Sequence, residues 1–162
     1  MRITARFLAG SLMVAALGAC GGGSSSPTAP APTPAPTPTP ISYSGTYVGP
    51  MTFTAGSGGT LPVTGTTTVT HSSGSVSLTS LTTTYQGSAL VTFPLGSAPF
   101  GTTFTGSTLY TSTGCGTITS TYSGYFGQNG SIMKMNLQVT LTPTSITSGC
   151  GVNDVRGELT RN

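Results

Sequence analysis

Beyond the first twenty residues, acid–base chemistry near neutrality can come only from His71, Lys134, Asp154, Arg156, Glu158 and Arg161. Between Cys20 and Met133 there is no Asp, Glu, Lys or Arg at all. A Ser/His/Asp arrangement can be drawn on paper, but only because serine is everywhere, so the match carries little information. His71 sits beside a Gly/Ser turn and is expected to be exposed or at a rim. Asp154 and Glu158 fall on one face of one strand and flank Arg156, which reads as a salt-bridging, solvated face rather than an acid–base pair. One histidine and two acids without ligand spacing do not make a metal site, and none is expected. The Gly-rich runs lack a lysine and a following helix, so no phosphate loop is present. No enzyme activity and no cofactor are expected.

The remaining chemistry lies in three cysteines, Cys20, Cys115 and Cys150. Cys20 ends a segment with Arg2 and Arg6 at its start, an apolar run from Phe7 to Leu17, and the small residues Gly18 and Ala19 before the thiol. The run is too short for a permanent membrane helix, which needs about 20 apolar residues. Leu17-Gly18-Ala19-Cys20 resembles the lipobox of type II signal peptides in bacterial lipoproteins. That resemblance implies that residues 1–19 are removed and that Cys20 becomes a lipid-bearing N-terminus. Several acyl chains on one residue give stable anchoring where one alone does not. The partner implied is the membrane, through lipid on Cys20. Gly21 after the cysteine resembles the outer-membrane sorting choice of enteric-type lipoproteins, which puts the chain in the cell envelope.

Residues 20–40 read as a tether. Gly21 to Ser26 is a Gly/Ser run, and from Pro30 to Pro40 proline takes every second position. Proline fixes φ and extends its predecessor, so polyproline-II geometry is expected. At ~3.1 Å per residue, the stretch from Pro27 could hold the next domain roughly 40 Å from the membrane. No Arg or aromatic anchor marks it as a signalling ligand.

Residues 41–162 suffice for one domain with a core. Once Arg2 and Arg6 leave, three basic residues face two acidic ones, and no basic face exists to bind nucleic acid. Ser, Thr and Gly solubilise the surface, which favours strands over helices. Tyr43, Tyr47, Met51 and Phe53 alternate with polar residues, as do Leu61 to His71. Val76, Leu78 and Leu81 follow with a phase break that predicts a bulge. Ala89 to Leu95 makes a fourth strand, stopped by Pro94 to Pro99. Phe104 to Tyr110 and Ile118 to Phe126 make the fifth and sixth. Gly127-Gln128-Asn129-Gly130 is the strongest hairpin signal. Met133 to Leu141 alternate cleanly, and Val155 and Leu159 close an eighth strand.

The spacing predicts an all-β antiparallel up-and-down meander of about eight strands. Closure into a soluble barrel would remove two exposed edges, with a β-sandwich as the alternative. A transmembrane barrel would need aliphatic bands and aromatic girdles that the Ser/Thr-rich strands lack. The Gly-Thr-Tyr opening and the closing Gly-Glu-Leu-Thr-Arg resemble small lipocalin-like or avidin-like barrels. Tyr47 stands where the lipocalin motif has Trp, and the chain has no Trp.

Two functions follow. In the first, a barrel mouth lined by Tyr43, Tyr47, Tyr110, Tyr122 and Phe126 holds a small apolar or glycan ligand. In the second, the barrel is filled and the protein acts structurally or on an envelope partner through its surface. In either case, with Cys20 committed to lipid, Cys115 and Cys150 are the two thiols left in an oxidising compartment. They start alternate strands at one rim, and a disulfide between them is expected by an inward lean or by a loop folding over the end. Neither lies in a Cys-x-x-Cys pair or beside a cation, so the bond is structural.

Overall fold

The computed structural model describes residues 34–37, 40–146 and 150–162. Residues 34–37 are exposed and carry no regular secondary structure. The unit Thr39–Asn162 holds all the strands, and no helix occurs among its described residues. The strands are β1 Gly45–Thr54, β2 Thr60–Ser72, β3 Ser75–Tyr85, β4 Ser88–Pro94, β5 Ser97–Pro99, β6 Thr103–Ser112, β7 Gly116–Asn129, β8 Ile132–Pro143 and β9 Asn153–Arg161. They form one curled antiparallel sheet in the order β4-β3-β2-β1-β9-β8-β7-β6, with β5 also paired to β3.

Period-two alternation produces this architecture. One face of every long strand is apolar and turns inward, giving a single core that runs from Tyr47, Val69 and Leu81 through Phe93 and Phe104 to Tyr122, Met135, Val139 and Val155. The first and last strands pair, Tyr47 with Arg161 and Thr54 with Asp154, so neither is a free edge. The sheet order therefore ends in the middle of the chain, at β4 and β6. The neighbouring β5 and β6 are linked by the short 100–102 turn and a lone bridge between Phe100 and Phe104.

The phase break at Leu78 and Leu81 is a bulge. Val69 faces Leu78 and Thr67 faces Leu81, so β3 carries the extra residue. The prolines that were expected to stop the fourth strand do not end the pairing. β4 and β5 run along the same edge of β3, interrupted near Gly96, opposite the bulge. Backbone bonds Leu78 N to Gly96 O and Leu95 N to Thr79 O bridge the interruption. Pro94 and Pro99 are tolerated because an edge strand needs ladder donors on one side only. The β7–β8 turn falls one residue later than Asn-Gly suggests. Asn129 pairs with Ile132, leaving Gly130-Ser131 as the two-residue loop. Gly130 has φ +61°, the left-handed value that a II′ hairpin wants at its first central residue.

The inward face is interrupted by glycines at which a Cβ would strike neighbouring backbone; at Gly49 it would meet the Glu158 carbonyl oxygen of β9. A Cβ at Gly157 would strike the Pro50 carbonyl oxygen of β1, and one at Gly124 would strike that of Asn136. The sheet therefore closes onto the core at these points. Gly157→Ala is expected to lower stability by about 1–3 kcal/mol through overpacking against fixed backbone. A thermal melt checks this, and an unchanged midpoint would mean that β1 and β9 can move apart. In the opposite direction, the buried Thr67 Oγ1 has no hydrogen-bond partner among the described residues. Thr67→Val is expected to stabilise by roughly 1 kcal/mol by removing that penalty, read by the same melt.

Candidate functional site

Antiparallel strands of similar length put two sets of residues at opposite ends of the curled sheet. At one end lie the start of β1, the end of β2, the start of β6, the end of β7 and the start of β8. The aromatic side chains there pack on one another. Tyr43 lies 4.8 Å from Phe126 and 5.1 Å from both His71 and Phe100, measured between ring centroids. Phe100 and Phe104 each stand 5.4 Å from Phe126, and Tyr47 is 5.7 Å from it. Edge-to-face and tilted geometries of this kind suit ring quadrupoles. The cluster is a plug. Tyr47 is fully buried, and its hydroxyl donates to the Tyr43 carbonyl at 2.8 Å.

Burial governs the electrostatics of this end. It pushes the Tyr47 phenol up to about 12, against which the nearby Arg161 charge pulls weakly down. Arg161 itself donates to the Ser42 carbonyl at 2.7 Å and ties the last strand to the segment before β1. His71 is half-buried with its ring against Tyr43 and Phe100, and its backbone N–H donates to Ser44 Oγ.

The other end is held by the Cys115–Cys150 disulfide, with Cα atoms 5.5 Å apart and a sequence separation of 35. After β8, Thr144 donates through both its N–H and its hydroxyl to the Thr117 carbonyl at the start of β7. Thr144 is thus held beside the start of β7, and Cys150, bonded to Cys115, lies just before β9. A cavity of about 150 Å³ lies beneath the bond, lined by Phe53, Tyr110, Ile118, Leu141 and both cysteines among others. Ligand sites for small molecules usually measure about 300–1,000 Å³.

The five aromatic residues read as one mouth are therefore distributed along the interior. Tyr43, Tyr47 and Phe126 meet at the plugged end. Tyr110 lines the small cavity at the disulfide end, where burial raises its phenol. Tyr122 sits between the ends, fully buried, its hydroxyl packed against Gly106. Burial raises its pKa, partly offset by Gly96 and Thr108, which approach the hydroxyl without well-formed hydrogen bonds. His71, Phe100 and Phe104 complete the plug and were not singled out as site residues in the sequence. Alternation puts His71 and Phe104 on inward faces, whereas Phe100 lies outside the alternating segments and only the β5–β6 connection brings it over the end.

Outside the sheet, β6 to β9 form an open groove of about 590 Å³. Its walls are two outward rungs. One comprises Thr103, Tyr125, Asn136 and Glu158, and the other Thr105, Ser123, Gln138 and Arg156. The middle rung of Phe104, Gly124, Leu137 and Gly157 turns its side chains inward, leaving backbone as the floor. Lys134 Nζ meets Glu158 Oε1 at 2.6 Å, which holds the exposed carboxyl below its usual range, helped by Asn136. Asp154 lies further along β9, accepting a hydrogen bond from Thr140 Oγ1 at 2.6 Å. It belongs to the disulfide end, whereas His71 belongs to the plugged end. Among the described residues no group of three or more His, Cys, Asp or Glu is gathered for a metal ion. Cys20 and the proposed signal segment lie outside the described residues, as does most of the tether. Comparison with protein-family models, with curated proteins and with solved structures finds no match to this chain.

Two outcomes test this geometry. Replacing both Cys115 and Cys150 by Ser is expected to cost roughly 3–4 kcal/mol, since the closed loop restricts the unfolded chain. Denaturant unfolding measures it; an unchanged midpoint would mean that the packing alone fixes this end. For Tyr47, a folded pKa above the unfolded one means that its contribution is complete below about pH 10 and is lost as pH rises towards about 12. Stability is therefore expected to fall across that window, and more steeply in the wild type than in Tyr47→Phe.

Proposed function

We propose that this chain is a lipid-anchored protein of the bacterial cell envelope, built of lipid on Cys20, a proline-rich spacer, and a β-domain working through its outer surface. The sheet closes on itself as a small barrel, with β5 and β6 forming the seam. Of the two functions set out above, the packed interior favours the second. The single observation that carries this is the packed core, plugged by six aromatic rings at one end and bridged by the Cys115–Cys150 disulfide over only a small cavity at the other. The lipidation reading rests on Leu17-Gly18-Ala19-Cys20 and the spacer behind it. A spacer is of use to a domain that must meet something away from the membrane surface. Localisation at the outer membrane rests on Gly21.

Cys20→Ser is the test. The expected result is an uncleaved, unlipidated precursor, seen as a slower band and as a mass lacking acyl chains. A variant that is cleaved and remains with the membrane like the wild type would overturn the anchoring.

A further inference from the structure

We infer that the outer groove across β6–β9 is a glycan-binding site, taking a neutral or zwitterionic oligosaccharide segment rather than a single sugar. This deepens the reading of the domain as acting through its outer surface and rests on it. The distribution of side chains is the first argument. The outward faces of the other strands offer chiefly Ser and Thr, whereas this strip holds Tyr125, Asn136, Gln138, Arg156 and Glu158 together. Asn136, Gln138, Arg156 and Glu158 are planar, multiply hydrogen-bonding groups, and here they stand on adjacent strands beside a tyrosine that is 50% exposed. An exposed aromatic ring beside amide, guanidinium and carboxylate groups offers stacking to the apolar face of a sugar and paired hydrogen bonds to its hydroxyls.

Geometry supplies the second argument. The floor is backbone already committed to the β6–β7–β8–β9 ladders, so a peptide cannot add as a strand here. Recognition must come from the side chains of the two walls. Three steps between strands, at about 4.8 Å each, make a trough roughly 14 Å long, running across the strands. Gly124 and Gly157 deepen it, because the middle rung without Cβ atoms can approach the core; the Phe104 ring lies 2.6 Å from where a Gly124 Cβ would stand. Charge decides between ligand classes. Lys134 at the rim and Arg156 in the lining face Glu158 alone, a single excess positive charge that is too weak a field to select a polyanion and repels a polycation. The Lys134–Glu158 pair holds the carboxylate in place at the groove rim.

The experiment uses the full-length lipid-bearing protein in detergent micelles. Affinity electrophoresis through soluble dextran, mannan and xylan is combined with co-sedimentation on purified peptidoglycan sacculi. Retention by at least one of these polymers is expected. Tyr125→Ala and Arg156→Gln should each weaken it by roughly tenfold. Leu109→Ala, equally outward but remote from the groove, should bind like the wild type. Arg156→Gln serves alone if Tyr125→Ala fails to fold. No retention of the wild type by any polymer, or retention untouched by both groove variants, would overturn the inference. Either failure would leave the surface reading standing, since that reading falls only if the interior carries a ligand.

Discussion

Antiparallel pairing of β1 with β9 is the constraint from which the rest of the domain follows. It joins the first strand to the last, Tyr47 to Arg161 at one end and Thr54 to Asp154 at the other. Without it, two short meanders would each expose an apolar face too small to exclude water. With it, the inward faces of all the long strands pack on one core. Burial at about 25 cal/mol per Å² of apolar surface then becomes the main stabilising term, in a chain with almost no charge to contribute otherwise. Gly157 and Gly49 are the local conditions for that pairing, because a side chain at either would meet the backbone of the other strand. The Arg161 hydrogen bond to the Ser42 carbonyl fastens the same junction from outside the ladder.

A core assembled in this way has two ends to close, and the two closures use different physics. Aromatic rings from β1 and the segment before it, β2, β6, β7 and the β5–β6 connection fill one end by packing, with one hydrogen bond from Tyr47 to the Tyr43 carbonyl. The other end has fewer large side chains, and there a covalent bond holds the loop before β9 against the start of β7. Once the interior is filled, chemical variety has only the outer face left to occupy. It gathers on β8 and β9, the strands that bear every Asp, Glu, Lys and Arg of the domain. The groove follows from strand geometry, since tall outward rungs two residues apart leave backbone between them.

The alternation of Met133 to Leu141 and of Tyr47 to Phe53 was legible because period two is local. So was the β3 bulge, since Leu78 and Leu81 break phase within one strand. Cys115 and Cys150 could be paired by elimination and compartment, although the sequence left open whether a lean or a loop would bring them together. β5 was not legible, because proline reads as a stop and its tolerance at an edge depends on which neighbour is missing. The aromatic mouth failed as a unit for a related reason. Tyr110, Tyr122 and Phe126 all point inward, but their depth along the axis depends on the direction of each strand. The groove gave no sequence signal, because its rungs are assembled from four strands whose register only the fold supplies.

Native mass spectrometry of the protein, purified with its lipid from membranes and sprayed from detergent, tests the filled interior most directly. The mass should equal that of the lipid-modified chain, with nothing further released when the protein is denatured. A small molecule held in stoichiometric amount, and released only on unfolding, would contradict a domain that works from its outer surface.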